Sequence, residues 1–295
     1  MRSGQRAPPD LPEADPTRTA LPRPEVGVGP PPRFRLTPDG RADAADRRRM
    51  QRDLATATRE RQFVLHYLPR LALGSLRPAG AEALIRWPQR KHGLVSAGVF
   101  MPLAERGGQA VEICAWTLST ACGDAAAWPA DCNVSVSIAA HRIEAAALLA
   151  QVAGALEGSG LRAERLEIGL GEALLLDTSD DTYLALSALR DLGVGVALDD
   201  FGTGVASLAL LRRLPLTALK LDRSLIRDLP DDREGSAIVR ATIETGHALG
   251  LTVVAEGIES EPHRAFLECC GCDQGQGALF GHALTAEQIL ARLAG

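Results

Sequence analysis

From Gln62 onward, short apolar runs alternate with amphipathic segments, the pattern of strands and helices in repeated βα units. The runs QFVLHYLPRLAL (62–73), AEALIRW (81–87), NVSVSI (133–138), RLEIGL (165–170), VGVALDD (194–200), TALKLD (217–222) and LTVVAE (251–256) predict strands, with a weaker one near GCDQ (271–274). Eight strands over about 235 residues point to a closed (β/α)8 barrel. The alternative, a doubly wound open sheet, usually carries a Gly-rich turn after its first strand, and none stands there. Residues 41–60, free of Gly and Pro, predict a helix that leads into the barrel.

Within these strands the branched apolar residues keep one parity, suited to packing outward on helices, while the other parity ends in polar groups. Val134, Val136 and Ile138 oppose Ser135 and Ser137; Val194, Val196 and Leu198 oppose Gly195, Ala197 and Asp199; Leu219 and Leu221 oppose Ala218, Lys220 and Asp222. A parallel barrel gathers the carboxyl ends of its strands at one mouth, so Glu82, Asp199, Asp200, Lys220, Asp222 and Glu256 are expected to converge there. Gathered carboxylates repel one another unless a cation neutralises them, and an oxygen-rich set suits Mg2+ or Mn2+. One strand breaks the pattern. In RLEIGLGEALLL the polar face carries Glu167 and then two glycines, Gly169 and Gly171, where side chains would otherwise stand.

Composition narrows the setting. Ten of the 18 prolines fall in residues 1–38, which lack an apolar period, so residues 1–40 read as a disordered Pro-rich tail and 41–295 as the barrel domain with its leading helix. The formal net charge of −5, with basic and acidic residues mixed, gives no nucleic-acid surface. No apolar run is long enough to span a bilayer, and MRSGQRAPPD is not followed by the apolar region of a signal peptide. Six irregularly spaced cysteines fit free thiols in a reducing cytoplasm; CCGC (269–272) lacks a second Cys/His pair at zinc spacing.

GAEALIRW, LDDFGTG, LKLD, VVAEGIE and DQGQG, in this order and at these spacings, resemble the EAL-domain phosphodiesterases that hydrolyse cyclic di-GMP, over roughly residues 45–294. The resemblance implies a TIM-like barrel whose first strand runs antiparallel, and a two-metal centre that activates water to give linear pGpG. It makes Glu82, Asp199, Asp200 and Glu256 metal ligands and has Lys220 position the water, with Glu259 and Gln276 beside the site. Leu84 and Arg86 would touch the dinucleotide, with Asp222 at the same mouth. The segment from Phe201 through Gly202, Thr203 and Gly204 to Ser207 would be a mobile loop coupling the metals to a homodimer interface, anchored by Glu172.

The chain departs from that family pattern at several positions. The family's E-x-T-E reads Gly169, Leu170, Gly171, Glu172 here, so a ligand glutamate is gone. The expected ligand asparagine is Ser137, the Gln of YQP is Leu68, and Val205 and Ala278 replace common aromatics. Losing one anionic and one amide ligand weakens a Mg2+ or Mn2+ centre or empties it. Two readings follow: a degenerate, cyclic di-GMP-linked signalling module, acting as receptor or as platform for a partner protein, and a slow metal-dependent phosphodiesterase.

Overall fold

The computed structural model describes residues 44–89, 92–138, 145–172, 180–204 and 208–294. The Pro-rich segment 1–40 lies outside them, as does Val205. Helix α1 (Ala44–Arg59) leads into β1 (Val64–Ala72), which turns back into the long β2 (Pro78–Gln89). The short β3 (Gly93–Ser96) follows, and then helices α2 (Ala97–Gly107) and α3 (Ala110–Ala126). The βα repeat then runs β4 (Asn133–Ile138), α4 (Ala145–Ser159), β5 (Leu166–Gly171), α5 (Asp180–Asp191), β6 (Gly195–Phe201) and α6 (Leu208–Arg213). It ends with β7 (Ala218–Leu221), α7 (Arg223–Ile226), α8 (Arg233–Ala248), β8 (Thr252–Ala255), α9 (Glu261–Cys269), β9 (Gln274–Gln276) and α10 (Ala286–Ala294).

The strands follow the order β1-β9-β8-β7-β6-β5-β4-β2-β3, and a β1–β2 pairing closes eight of them into a barrel with β3 outside. β1 is antiparallel to both its neighbours, while β2 and β4 to β9 run parallel. The expected (β/α)8 fold with a reversed first strand is therefore the fold of this chain. β3 is the element the sequence reading lacked: four residues pair antiparallel with the end of β2, outside the barrel. The last strand lies slightly later than GCDQ, at Gln274–Gln276.

Outward residues Val134, Val136, Ile168, Leu170, Val196, Leu198, Leu219, Leu221 and Val253 are all buried under the helices, as their parity requires. Arg165 ties that layer together: its guanidinium donates to the carbonyls of Ala125, Trp128 and Cys132 at 2.9, 3.3 and 3.0 Å, placing a cation at the carboxyl end of α3. Gly80 is needed where β2 meets β4, because a side chain there would collide with the Asn133 backbone. None of the six cysteines is in a disulfide.

Candidate active site

The inward parity builds the site in layers, beginning with a charge pair deep in the barrel. Arg70, only 2% exposed, stands on β1, and its Nη1 meets Glu167 Oε1 of β5 at 2.7 Å. Lys220 of β7, fully buried, lies 4.0 Å from the same oxygen, donates to Ser135 Oγ at 3.0 Å and pairs with Asp199 Oδ1 at 2.9 Å. Burial alone would raise the Glu167 carboxyl, but the Arg70 charge and then Lys220 overcome it and bring it down to about 2. Burial opposes the Lys220 charge, yet Asp199, Glu82, Glu167 and Glu256 together push its pKa above the ordinary value. Arg70 was not singled out in the sequence; a basic residue at inward parity on β1 was the available signal.

Above this pair lie the groups expected at the mouth. Gln276 Nε2 donates to Glu82 Oε2 at 2.6 Å and to Glu256 Oε1 at 3.2 Å, so one amide bridges two carboxylates. Burial, and then the Glu82 charge, raise Glu256 well above the usual carboxylate range. Asp199 lies beside Glu82 across one hydroxyl: Ser137 Oγ donates to Asp199 Oδ2 at 2.6 Å and is 3.2 Å from Glu82 Oε1. Burial raises Asp199, Lys220 opposes that, and Glu82 adds to it.

The rim contains the remaining predicted residues. Asp200 sits at an irregularity of β6 with φ of 57°, a left-handed conformation that Gly adopts freely and that Asn and Asp enter more readily than other residues. Burial and then Asp199, Asp222 and Glu82 raise its carboxyl. Asn favours this backbone and carries no charge, so Asp200→Asn is expected to stabilise the fold slightly, by up to about 0.5 kcal/mol because the group is exposed, seen as a small rise in melting temperature. A melt below wild type would mean that the carboxylate holds the bend together.

Asp222 caps α7, accepting from Ser224 N at 2.8 Å. Glu259 is exposed on the loop after β8. Leu84 and Arg86 line a cavity of about 120 Å3 together with Glu82, Ser137, Met101 and Cys114. Burial lowers the Arg86 pKa, against the Glu82 charge, and its Nη1 donates to Ile85 O at 3.0 Å. Glu172 Oε2 accepts from Thr203 Oγ1 at 2.9 Å and from Gly204 N at 3.0 Å, tying β5 to the loop that begins at Phe201 and Gly202.

In chemistry the donor set fits a hard divalent cation: its groups are oxygens, the carboxyls of Asp199, Asp200 and Glu256 are raised first by burial and then by neighbouring carboxylates, and the buried Gln276 Oε1 has no hydrogen-bond partner. Arrangement is the shortfall. Among the described residues no three His, Cys, Asp or Glu side chains converge as a metal-binding group, and Asp199 is engaged by Ser137 and Lys220.

A reversed-strand barrel with an acidic mouth defines the class, and comparison supplies the family. The EAL domain family model matches residues 51–283, and the chain belongs to that family. The bifunctional diguanylate cyclase/cyclic di-GMP phosphodiesterase MucR of Pseudomonas aeruginosa is 39% identical over 257 residues, 86% of this chain and 38% of that protein. The cyclic di-GMP phosphodiesterase NbdA of the same organism is 41% identical over 239 residues, 80% of this chain and 30% of the relative. The chain thus spans less than two-fifths of these curated relatives. The solved structure of the PaMucR phosphodiesterase in complex with c-di-GMP matches with a TM-score of 0.78 at 39% identity, covering 82% of this chain and 100% of that one. The EAL domain of Mycobacterium smegmatis DcpA matches at 0.68 and 31%, covering 79% and 97%. EAL-domain phosphodiesterases generally depend on divalent metal. No helix among the described residues is long and apolar enough to cross a membrane.

Proposed function

We propose that this EAL domain is a cyclic di-GMP receptor module with little or no phosphodiesterase activity. One observation carries the reading: where the family pattern has two further ligands, Ser137 and Gly169 supply none, and the Asp199 carboxylate is spent on Ser137 and Lys220. Glu82 and Glu256, bridged by Gln276, would hold a divalent ion with too few protein ligands to bind it tightly. When bound, such an ion supplies Lewis-acid polarisation of a phosphodiester and an activated water. Lys220 is the fixed cation of the site, and Leu84 and Arg86 offer an apolar contact and a guanidinium suited to a phosphate of the ligand. Leu68 leaves a polar edge of that ligand unpaired, which weakens binding without abolishing it. The protein is cytoplasmic in this reading, and passes its signal to a partner protein or through a second copy of itself.

A second reading, slow hydrolysis, is favoured by the intact Glu82–Gln276–Glu256 bridge. The two are separated by measuring conversion of cyclic di-GMP to pGpG with Mg2+ or Mn2+, alongside calorimetry with Mg2+, with Ca2+ and without metal. Turnover is expected to be at least about 10²-fold below that of a MucR-type domain, the scale of a lost transition-state contact, with binding retained. Equal turnover would sink the module reading, and no heat of binding in any of the three conditions would sink the receptor.

A further inference from the structure

We infer that Ser137 and Gly169 together hold the Asp199 carboxylate in the space over Gly169 with both its oxygens engaged, so that the site is latched shut rather than merely short of ligands. The inference rests on the reading above and concerns its cause. Ser137 is paired with Gly169 in the register of β4 and β5, and Gly169 with Ala197 of β6, two residues before Asp199. A methyl group built on Gly169 would overlap Asp199 Oδ2 and come too close to both other carboxylate atoms. The space left by the missing side chain is therefore filled by the Asp199 carboxylate itself.

One hydrogen bond and one ion pair keep it there. Ser137 Oγ donates to Oδ2 at 2.6 Å, and Lys220 Nζ meets Oδ1 at 2.9 Å, so both oxygens face protein cations or donors. Any residue larger than glycine at 169 would close this pose. A side chain as long as asparagine at 137 could not present a hydroxyl in the same place. Each departure from the family pattern thus removes a ligand at its own position and disarms a third one. Asp199 is thus retained in the sequence while its oxygens are withheld from an ion.

The latch makes an unusual expectation: a substitution that adds no ligand should improve metal binding. Gly169 has no left-handed backbone requirement, and alanine there meets only the end of the Asp199 side chain. Gly169→Ala should displace the Asp199 carboxylate from the space over residue 169 and free its oxygens for an ion, and Ser137→Ala should loosen it by removing one charge-assisted hydrogen bond. The control is Gly171→Ala, two residues along the same face, where a methyl group would enter open space.

The experiment titrates Mn2+ alone, by calorimetry or by the electron-spin signal of free Mn2+, into wild type and the three variants after circular dichroism shows each to be folded. Gly169→Ala is expected to bind Mn2+ about tenfold tighter than wild type, the scale of one such hydrogen bond, Ser137→Ala more tightly to a lesser degree, and Gly171→Ala as wild type does. Folded Gly169→Ala and Ser137→Ala with wild-type affinity would overturn the latch, as would an equal gain in Gly171→Ala. If only Ser137→Ala folds, its ratio to wild type decides alone. Wild-type turnover tests the reading of a silent site, whereas the variant-to-wild-type ratio tests the latch, so the two fail separately.

Discussion

Arg70→Met is expected to destabilise the folded protein by about 3–5 kcal/mol at neutral pH, the usual cost of removing one partner of a buried ion pair. Glu167 would keep its charge in the barrel interior with only Lys220, at 4.0 Å, to balance it. For a folded part of this size the loss lowers the melting temperature by roughly 6–20 °C. The pH dependence separates charge from packing. Glu167 is held at about 2, below its ordinary value near 4.3, so the pair contributes stability that is fully present above about pH 4.3 and lost as the pH falls through 2. In the variant, burial is less opposed and raises the Glu167 carboxyl, so the gap between variant and wild type should narrow as the pH is lowered from 7 to 4. Thermal melts followed by circular dichroism across that range check both effects. A gap that does not change with pH would show that Arg70 contributes packing alone. Adding Glu167→Leu should recover much of the loss, because replacing both partners removes the uncompensated charge.

That pair shows where sequence reasoning reaches and where it stops. The alternation of Val134, Ser135, Val136 and Ser137 gave the strand and both its faces, because period 2 along one strand is a local property. The same alternation, repeated from Glu82 to Glu256, was enough to place one acidic mouth. β3 escaped because four residues outside the barrel have no alternation long enough to read. Arg70 escaped because its partner is 97 residues away: its inward parity on β1 marks a cation facing the barrel, but nothing near it names Glu167 as the partner. Asp222 illustrates a different limit: one carboxylate can face a mouth and cap a helix, and only geometry shows the bond to Ser224.

The orientation of Asp199 was the least legible feature and the most consequential. Its position on β6 followed from the LDDFGTG motif, but its rotamer depends on empty space over a glycine of β5 and on a hydroxyl of β4. A sequence shows that Gly169 lacks a carboxylate; it does not show what moves into the gap. The same holds for Gln276, whose amide joins Glu82, 194 residues away, to Glu256.

Restoring both missing ligands, with Gly169→Glu and Ser137→Asn combined, is expected to raise hydrolysis of cyclic di-GMP in Mn2+ by about 10²-fold or more over wild type. Position 169 shares the inward parity of Glu167, so a glutamate there points into the mouth, and its Cβ takes the volume that Asp199 now fills. Asparagine at 137 replaces the hydroxyl that holds Asp199 and adds an amide oxygen from the neighbouring strand. Gly169→Glu alone should tighten Mn2+ binding, since it both evicts Asp199 and adds an anion, but should do little for turnover while the second position still lacks a ligand. Ser137→Asn alone leaves the pocket over Gly169 open and should change turnover less. The double variant should exceed the sum of the single effects in free energy, because ligands of one ion act as a unit. Circular dichroism must show a folded double variant, since the larger side chain enters a strand adapted to glycine. Turnover is then read as pGpG formed per unit time, and Mn2+ affinity by calorimetry. A folded double variant with restored Mn2+ affinity and wild-type turnover would place the remaining defect at the nucleotide contacts, with Leu68 first among them.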